Sequence, residues 1–349
     1  MTSRISRTEA IQLLADEEFL SLGRQAHNLR LAKNPAPRVT FVIDRNINYT
    51  NICSCQCRFC AYYRQEDDPE AFVLDQATLA EKITETLALG GTQILLQGGL
   101  HPHLKIPYYE ALLQTIRKNF PTIHIHGFSA PEIWHISTLS DLSLEETICR
   151  LRDAGLGSIP GGGAEILDDR VRKHISPNKI GWQQWLQVME VAHRHGLRST
   201  ATMMFGSVET AEELVDHLLR VRELQDKTGG FTAFIPWSFQ PDNTDLKDEV
   251  PITATGIDYL RVLALSRIVL DNIDNIQASW VTQGAKTAQV ALYFGANDFG
   301  STMIEENVVA AAGVHFRMSL EEMISTIREA GFMPAQRNTF YDIIKEFHE

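Results

Sequence analysis

Cys53, Cys55, Cys57 and Cys60 fall within eight positions, and the chain holds one other cysteine, Cys149. Packing gives no reason to gather thiols on so short a stretch, whereas thiolate binding of metal does. Cys53, Cys57 and Cys60 form a C-x-x-x-C-x-x-C array, with Phe59 just before the last sulfur. Two chemistries compete for such an array. Structural zinc prefers paired C-x-x-C knuckles well separated in sequence, and no second pair is present here. A four-iron cluster usually takes four cysteines, so three would leave one iron open to an added ligand. Cys55 departs from the minimal spacing and reads as a spectator, with a fourth cluster thiol as the alternative. Cys149, beside Ile148 and near Leu151, reads as a core residue.

Other segments carry polar or glycine-rich patterns of the kind that line sites. In "LLQGG" (95–99), Gln97, Gly98 and Gly99 end a predicted strand. They form either a tight turn or a place where backbone groups meet a ligand. In "IPGGGAEI" (159–166) three glycines precede Glu165. That acid either answers a helix dipole or contacts a ligand. His101, His103, His124 and His126 flank two predicted strand ends. His101 and His126 lie nearest the expected mouth, as candidates for substrate contact or proton transfer. Trp237 and Phe239 either stack on an aromatic ligand or fill the core. Asn297, Asp298, Ser301 and Thr302 form a polar turn or hydrogen bond a hydroxylated ligand.

The elements that must position these residues follow a rhythm in which an amphipathic helix ends in glycine and a β-rich run follows. Strand-like runs occur at 39–44, 92–97, 122–127, 156–159, 198–204, 231–237 and 275–281, with a weaker one at 291–295. Between them, Pro107 opens a helix with Leu112, Leu113, Ile116 and Phe120 on one face. Capping boxes stand at Ser143 to Glu146, Thr210 to Glu213 and Ser319 to Glu322. This alternation predicts an α/β fold, a (β/α)8 TIM-type barrel, with a doubly wound open sheet as runner-up. The expected organisation is an N-terminal helical extension (1–38), the barrel (39–316) and a C-terminal helical cap (317–349). The cysteine segment follows the first strand, and barrel active sites sit on the loops after strands.

The 349 residues are enough to bury a large core, and 44% hydrophobic with 22% charged residues is ordinary for a globular enzyme. A net charge of -12 argues against gripping nucleic acid or anionic lipid. No run approaches the ~20 apolar residues of a membrane span, and residues 1–33 do not read as a signal peptide. Clustered cysteines are no disulfide framework, so a reducing, cytoplasmic setting is expected.

Along nearly its whole length the chain resembles the cyclic dehypoxanthinyl futalosine synthase family, within the radical S-adenosylmethionine (SAM) superfamily. The segments that carry the resemblance include "DRNINYTNICSCQCRFCAYYR" (44–64), "QGGLHP" (97–102), "HIHGFSAPEI" (124–133), "SIPGGGAEIL" (158–167), "GGFTAFIPWSFQPDNT" (229–244) and "FGANDFGSTMIEENVV" (294–309). The resemblance implies a [4Fe-4S] cluster held by Cys53, Cys57 and Cys60, with S-adenosyl-L-methionine on the open iron. It implies that Phe59 and Tyr62 lie near the adenine, and that Gln97, Gly98, Gly99 and Glu165 bind the rest of that cofactor. Leu100 stands where the superfamily often has an acid after the glycine pair.

The implied reaction is abstraction of the ribose C4' hydrogen of dehypoxanthine futalosine by a 5'-deoxyadenosyl radical. Attack on the substrate's benzoate ring follows, as a step in menaquinone biosynthesis. An external donor such as flavodoxin or ferredoxin would supply the electron. His101, His126, Glu165 and Asp298 are candidate proton acceptors, and Arg64 is the candidate partner of the substrate carboxylate. The competing readings are aminofutalosine synthase and a zinc or iron–sulfur structural or electron-carrier protein.

Overall fold

The computed structural model describes residues 4–348. Its strands are β1 (Arg38–Val42), β2 (Asp44–Asn48), β3 (Gln93–Gln97), β4 (His124–Gly127), β5 (Ser158–Ile159), β6 (Arg198–Phe205), β7 (Phe231–Ser238), β8 (Asn275–Ile276), β9 (Asp298–Ser301), β10 (Met333–Arg337) and β11 (Ile343–Glu346). Strands β2 to β8 form a seven-stranded sheet in chain order, each pair parallel. Parallel neighbours need crossover connections, and helices such as Gln76–Ala88, Ile106–Asn119 and Ala211–Thr228 supply them.

The ring closes through β1 and β9. Ile43 alone separates β1 from β2, and β1 pairs in parallel with β9. A bridge between Gln277 and Asp298 joins β9 to the end of β8, and the Ala278 N–H donates to the Asp298 carbonyl at 2.9 Å. The result is the expected barrel. All three capping boxes read from the sequence cap helices, at Ser143, Thr210 and Ser319. The N-terminal extension is two helices, Arg7–Asp16 and Phe19–Lys33, the second packed on the helix Gly256–Val269. Gly23 lets Phe294 approach, since an added Cβ would lie 2.6 Å from its ring.

Two expectations about the second half need correction. The run 275–281 is a strand only over Asn275–Ile276, because a helix begins at Trp280, and the residues at 291–295 end that helix and turn. The eighth strand is β9, whose start at 298 lies seven residues after the start of that run at 291. The C-terminal segment 317–349 is not a purely helical cap. It holds one helix, Leu320–Glu329, and then β10 and β11. Strand β10 pairs in parallel with β1, from Arg38↔Met333 to Phe41↔Gln336. The physical reason is an open edge: β3 pairs with β2 and leaves the corresponding side of β1 without partners, and buried backbone groups must be paired.

This addition seals the barrel base with charge. Arg337, at the end of β10, grips the fully buried Asp298 through Nε to Oδ2 at 2.5 Å and Nη2 to Oδ1 at 2.9 Å. Thr40 Oγ1 and the Gly300 N–H also donate to that carboxylate, at 2.5 and 2.9 Å. Burial alone would lower the Arg337 pKa, but Asp298 outweighs it and holds the guanidinium charged. Breaking one side of a buried pair strands the other charge. Arg337→Leu is therefore expected to cost about 3–5 kcal/mol, read from the denaturant midpoint; a loss below ~1 kcal/mol, the size of a surface ion pair, would contradict this account.

Candidate active site

Side chains alternate along a strand, so Asp44, Asn46 and Asn48 share the inner face of β2 while Arg45 and Ile47 point away. On β3 the inner face carries Gln93, Leu95 and Gln97. Together with His126, Glu165, Trp237 and others they line a cavity of about 320 Å3 inside the barrel. A second cavity, of about 200 Å3, lies beside it and is lined by Cys53, Cys55, Cys57, Cys60, Lys179 and the Gly98–Gly99 turn. Gln97, Gly163 and Val308 line both, so the two adjoin.

The glycine pair is there for space. Neither Gly98 nor Gly99 has a positive φ. A Cβ on Gly98 would lie 2.5 Å from the Tyr49 ring, and one on Gly99 would lie 2.1 Å from the Ile52 carbonyl oxygen and 2.9 Å from Cys53 Cβ. The strand end thus presses against the base of the cysteine loop. The Leu100 N–H donates to Cys53 Sγ at 3.3 Å, and the Cys60 N–H donates to the Cys57 carbonyl at 3.0 Å. The acid missing at Leu100 has a counterpart from another element. Glu132 accepts from the Gly98 N–H (2.9 Å), the Tyr49 hydroxyl (2.8 Å) and both the N–H and hydroxyl of Ser129 (2.7 and 2.5 Å). Its signal in the sequence was a capping box, Ser129 to Glu132, ahead of the helix Ala130–Leu139.

Glu165 does not start a helix. The cap of the helix Asp169–Ile175 is Asp168, so the dipole reading of Glu165 falls. Its Oε1 accepts from Lys179 Nζ at 2.6 Å, while its buried Oε2 has no partner among the described residues. Lys179, which sequence reasoning passed over, also lies 4.8 Å from the centre of the Phe59 ring. Burial works against its charge, but the Cys57 thiolate and the Glu165 carboxylate outweigh that and raise its pKa above the usual lysine value.

The remaining candidates divide. Phe59 and Tyr62 line the cysteine cavity. His126 lines the larger one, with Nδ1 2.6 Å from Ser158 Oγ; burial pushes its pKa down to about 3, so the imidazole is neutral. His101 lines neither cavity, because its ring turns back to accept from the His103 N–H at 3.2 Å. Asp298 lies under the cavity, consumed by Arg337 and Thr40. Arg64 stays on the cysteine loop, bound to Glu70 at 2.6 Å and to the carbonyls of residues 61–63. Phe239 is core, whereas Trp237 lines the cavity. Asn297 holds Arg267 and the Ile276 N–H. Thr302 also stays outside the larger cavity, while Ser301 lines it and donates to Asp44. Cys149 is only half-buried, its Sγ 3.5 Å from His195 Nδ1.

Asp44 is a group the sequence reading missed. It sits at the cavity base and accepts from Ser301 and, at 2.5 Å, from Gln93 Nε2. Burial pushes its carboxyl above the usual range. An acidic residue opening a strand carries no local mark of function, so nothing in the sequence singled it out.

Residues 47–221 match the family described as the Radical SAM superfamily, and residues 228–349 match the CofH/MqnC C-terminal region. The chain belongs to the radical SAM superfamily. It is 47% identical to the cyclic dehypoxanthine futalosine synthase of Halalkalibacterium halodurans, over 99% of this chain and 93% of that protein. It is 41% identical to the 5-amino-6-(D-ribitylamino)uracil--L-tyrosine 4-hydroxyphenyl transferase of Methanocaldococcus jannaschii, over 98% and 97%. In fold it is similar to the crystal structure of methylornithine synthase (PylB), with a TM-score of 0.74 at 17% identity, covering 96% of this chain and 95% of that one.

Superfamily membership implies a [4Fe-4S] cluster and S-adenosylmethionine, and the residues fit both. The three array thiols line one cavity together with the Gly98–Gly99 turn, Phe59 and Lys179. The orphaned Oε2 of Glu165 calls for a donor from a ligand. Because Gly99 seats the loop, Gly99→Ala is expected to lower iron and sulfide bound per chain after anaerobic reconstitution by more than half, with the barrel's circular dichroism retained. Full iron loading in this variant would refute the close-approach argument.

Proposed function

We propose that the chain is the cyclase that converts dehypoxanthine futalosine to its cyclic product, a step in menaquinone biosynthesis. The observation that carries this reading is the near-full-length similarity to a cyclic dehypoxanthine futalosine synthase, in a chain whose cysteine cavity adjoins a barrel cavity of about 320 Å3. When bound, the cluster and S-adenosylmethionine supply the 5'-deoxyadenosyl radical that takes hydrogen from the ribose C4'. An external one-electron donor such as flavodoxin or ferredoxin provides the electron.

The chain's own residues do the rest. Cys53, Cys57 and Cys60 would hold the iron. Phe59 and Tyr62 would lie beside the adenine, and Gln97 with the Gly98–Gly99 backbone would take the amino-acid end, since all line one cavity. Lys179 fixes one oxygen of Glu165, which leaves Oε2 to accept from a cofactor N–H or O–H. Leu95, Ile235, Trp237 and Met303 on the wall exclude water, which protects a radical from side reactions. They also hold the benzoate ring against C4', where orientation lowers the barrier. After attack the ring radical must lose one electron, to an external one-electron acceptor, and one proton to regain aromaticity. Asp44 takes the proton in place of His101 and Asp298: it lies on the cavity wall, and burial has raised its affinity for a proton.

The test is an anaerobic substrate panel with reconstituted enzyme: dehypoxanthine futalosine, the enolpyruvyl substrate of aminofutalosine synthase, and tyrosine with 5-amino-6-(D-ribitylamino)uracil. The expected result is consumption of the first alone, with 5'-deoxyadenosine formed alongside a cyclised product. Turnover of either other substrate with dehypoxanthine futalosine left intact would overturn the reading.

A further inference from the structure

The inner face of β2 presents three polar side chains in alternation, and two have protein partners. Asp44 holds Ser301 and Gln93. Asn48 Oδ1 accepts from Asn307 Nδ2 at 3.3 Å, and its Nδ2 reaches the Gln97 carbonyl at 3.5 Å. Asn46, between them, is only 5% exposed, yet its Oδ1 has no hydrogen-bond partner among the described residues. Its neighbour across the β2–β3 register is Leu95, which has nothing to offer it. Asn46, Leu95 and Met303 all line the larger cavity. A buried amide without a partner is costly, and one that lines a cavity is placed where a ligand or an ordered water can relieve that cost.

We infer that Asn46 is a substrate-binding residue that hydrogen bonds a hydroxyl group of a sugar-bearing substrate. The inference deepens the proposed function and rests on it. Three features select a hydroxyl. An amide both donates and accepts, as a hydroxyl does. An anionic group is disfavoured beside Asn46 itself, because Asp44 stands two residues away on the same face of β2 and Arg337, a cation that lines the cavity, is committed to Asp298. The position also suits the sugar end of the substrate. Asn46 stands two residues, roughly 7 Å along the strand, from Asn48, which lines the cysteine cavity. The hydrogen to be abstracted must lie on that side.

The test measures binding of dehypoxanthine futalosine and of its 2'- and 3'-deoxy analogues to cluster-loaded enzyme, with S-adenosylmethionine present and no reductant. Wild type is compared with Asn46→Leu and with the smaller Asn46→Ala, which cannot block the cavity. Both variants are expected to bind the parent compound roughly tenfold more weakly, the loss of about one hydrogen bond. For one deoxy analogue, wild type should suffer a similar loss and the variants no further one, the non-additivity that marks a direct contact. Ligand-free Asn46→Leu should melt no lower than wild type, because it removes an unpaired amide.

Unchanged affinity in both variants, strictly additive losses for both analogues, or a lower ligand-free Tm in Asn46→Leu would overturn the inference alone. Wild type failing to bind dehypoxanthine futalosine would overturn the functional reading, and the inference with it.

Discussion

The site depends on one close approach, that of the Gly98–Gly99 backbone to the foot of the cysteine loop. The β2–β3 register, Asn48 opposite Gln97, brings the two strand ends level. Tyr49 and Ile52 then occupy the space where side chains at 98 and 99 would stand. Glu132 locks this arrangement by tying the Gly98 N–H and the Tyr49 hydroxyl to the first turn of the helix Ala130–Leu139. Four hydrogen bonds offset the burial that pushes its carboxyl up. Because the contact involves backbone, it leaves little freedom in where the thiols sit relative to Gln97, and Gln97 belongs to both cavities. The spacing between the two cavities is thus set by packing at a strand end.

The opposite end of the barrel is closed by different physics. There the chain spends a buried ion pair, Arg337 with Asp298, and a set of short polar contacts among Asp44, Gln93, Ser301 and Thr339. Replacing such a pair by apolar residues often leaves stability unharmed, so strength alone does not account for it. Its geometric effect is clear: it draws the C-terminal strand into register with β1 and places Arg337, Thr339 and Tyr341 on the floor of the cavity. The cysteine thiols gather at one end and a carboxyl whose proton affinity burial has raised stands at the other.

Much of this was legible in the sequence, for identifiable reasons. The cysteine spacing, the glycine pair and the helix caps are local patterns, and each lies where local chemistry places it. Lys179, Asp44, Asn46 and Arg337 escaped notice because their roles arise from long-range pairing. Lys179 matters through Glu165, fourteen residues away, and Arg337 through Asp298, thirty-nine away. The helical expectation for the C-terminal segment failed similarly. Its strand β10 has no strict alternation of buried and exposed residues, and its reason for being extended is the open edge of β1. Conversely, His101 and Asp298 looked catalytic because they sit near strand ends; their side chains turn away from the cavity to satisfy other partners.

The central claim is that the cysteine cavity delivers a radical directly to a sugar carbon held in the barrel. The most direct measurement is isotope transfer from dehypoxanthine futalosine deuterated at the ribose C4', incubated anaerobically with reduced, reconstituted enzyme and S-adenosylmethionine. The account predicts deuterium in the 5'-deoxyadenosine, formed together with the cyclised product. Cyclised product accompanied by unlabelled 5'-deoxyadenosine would contradict it.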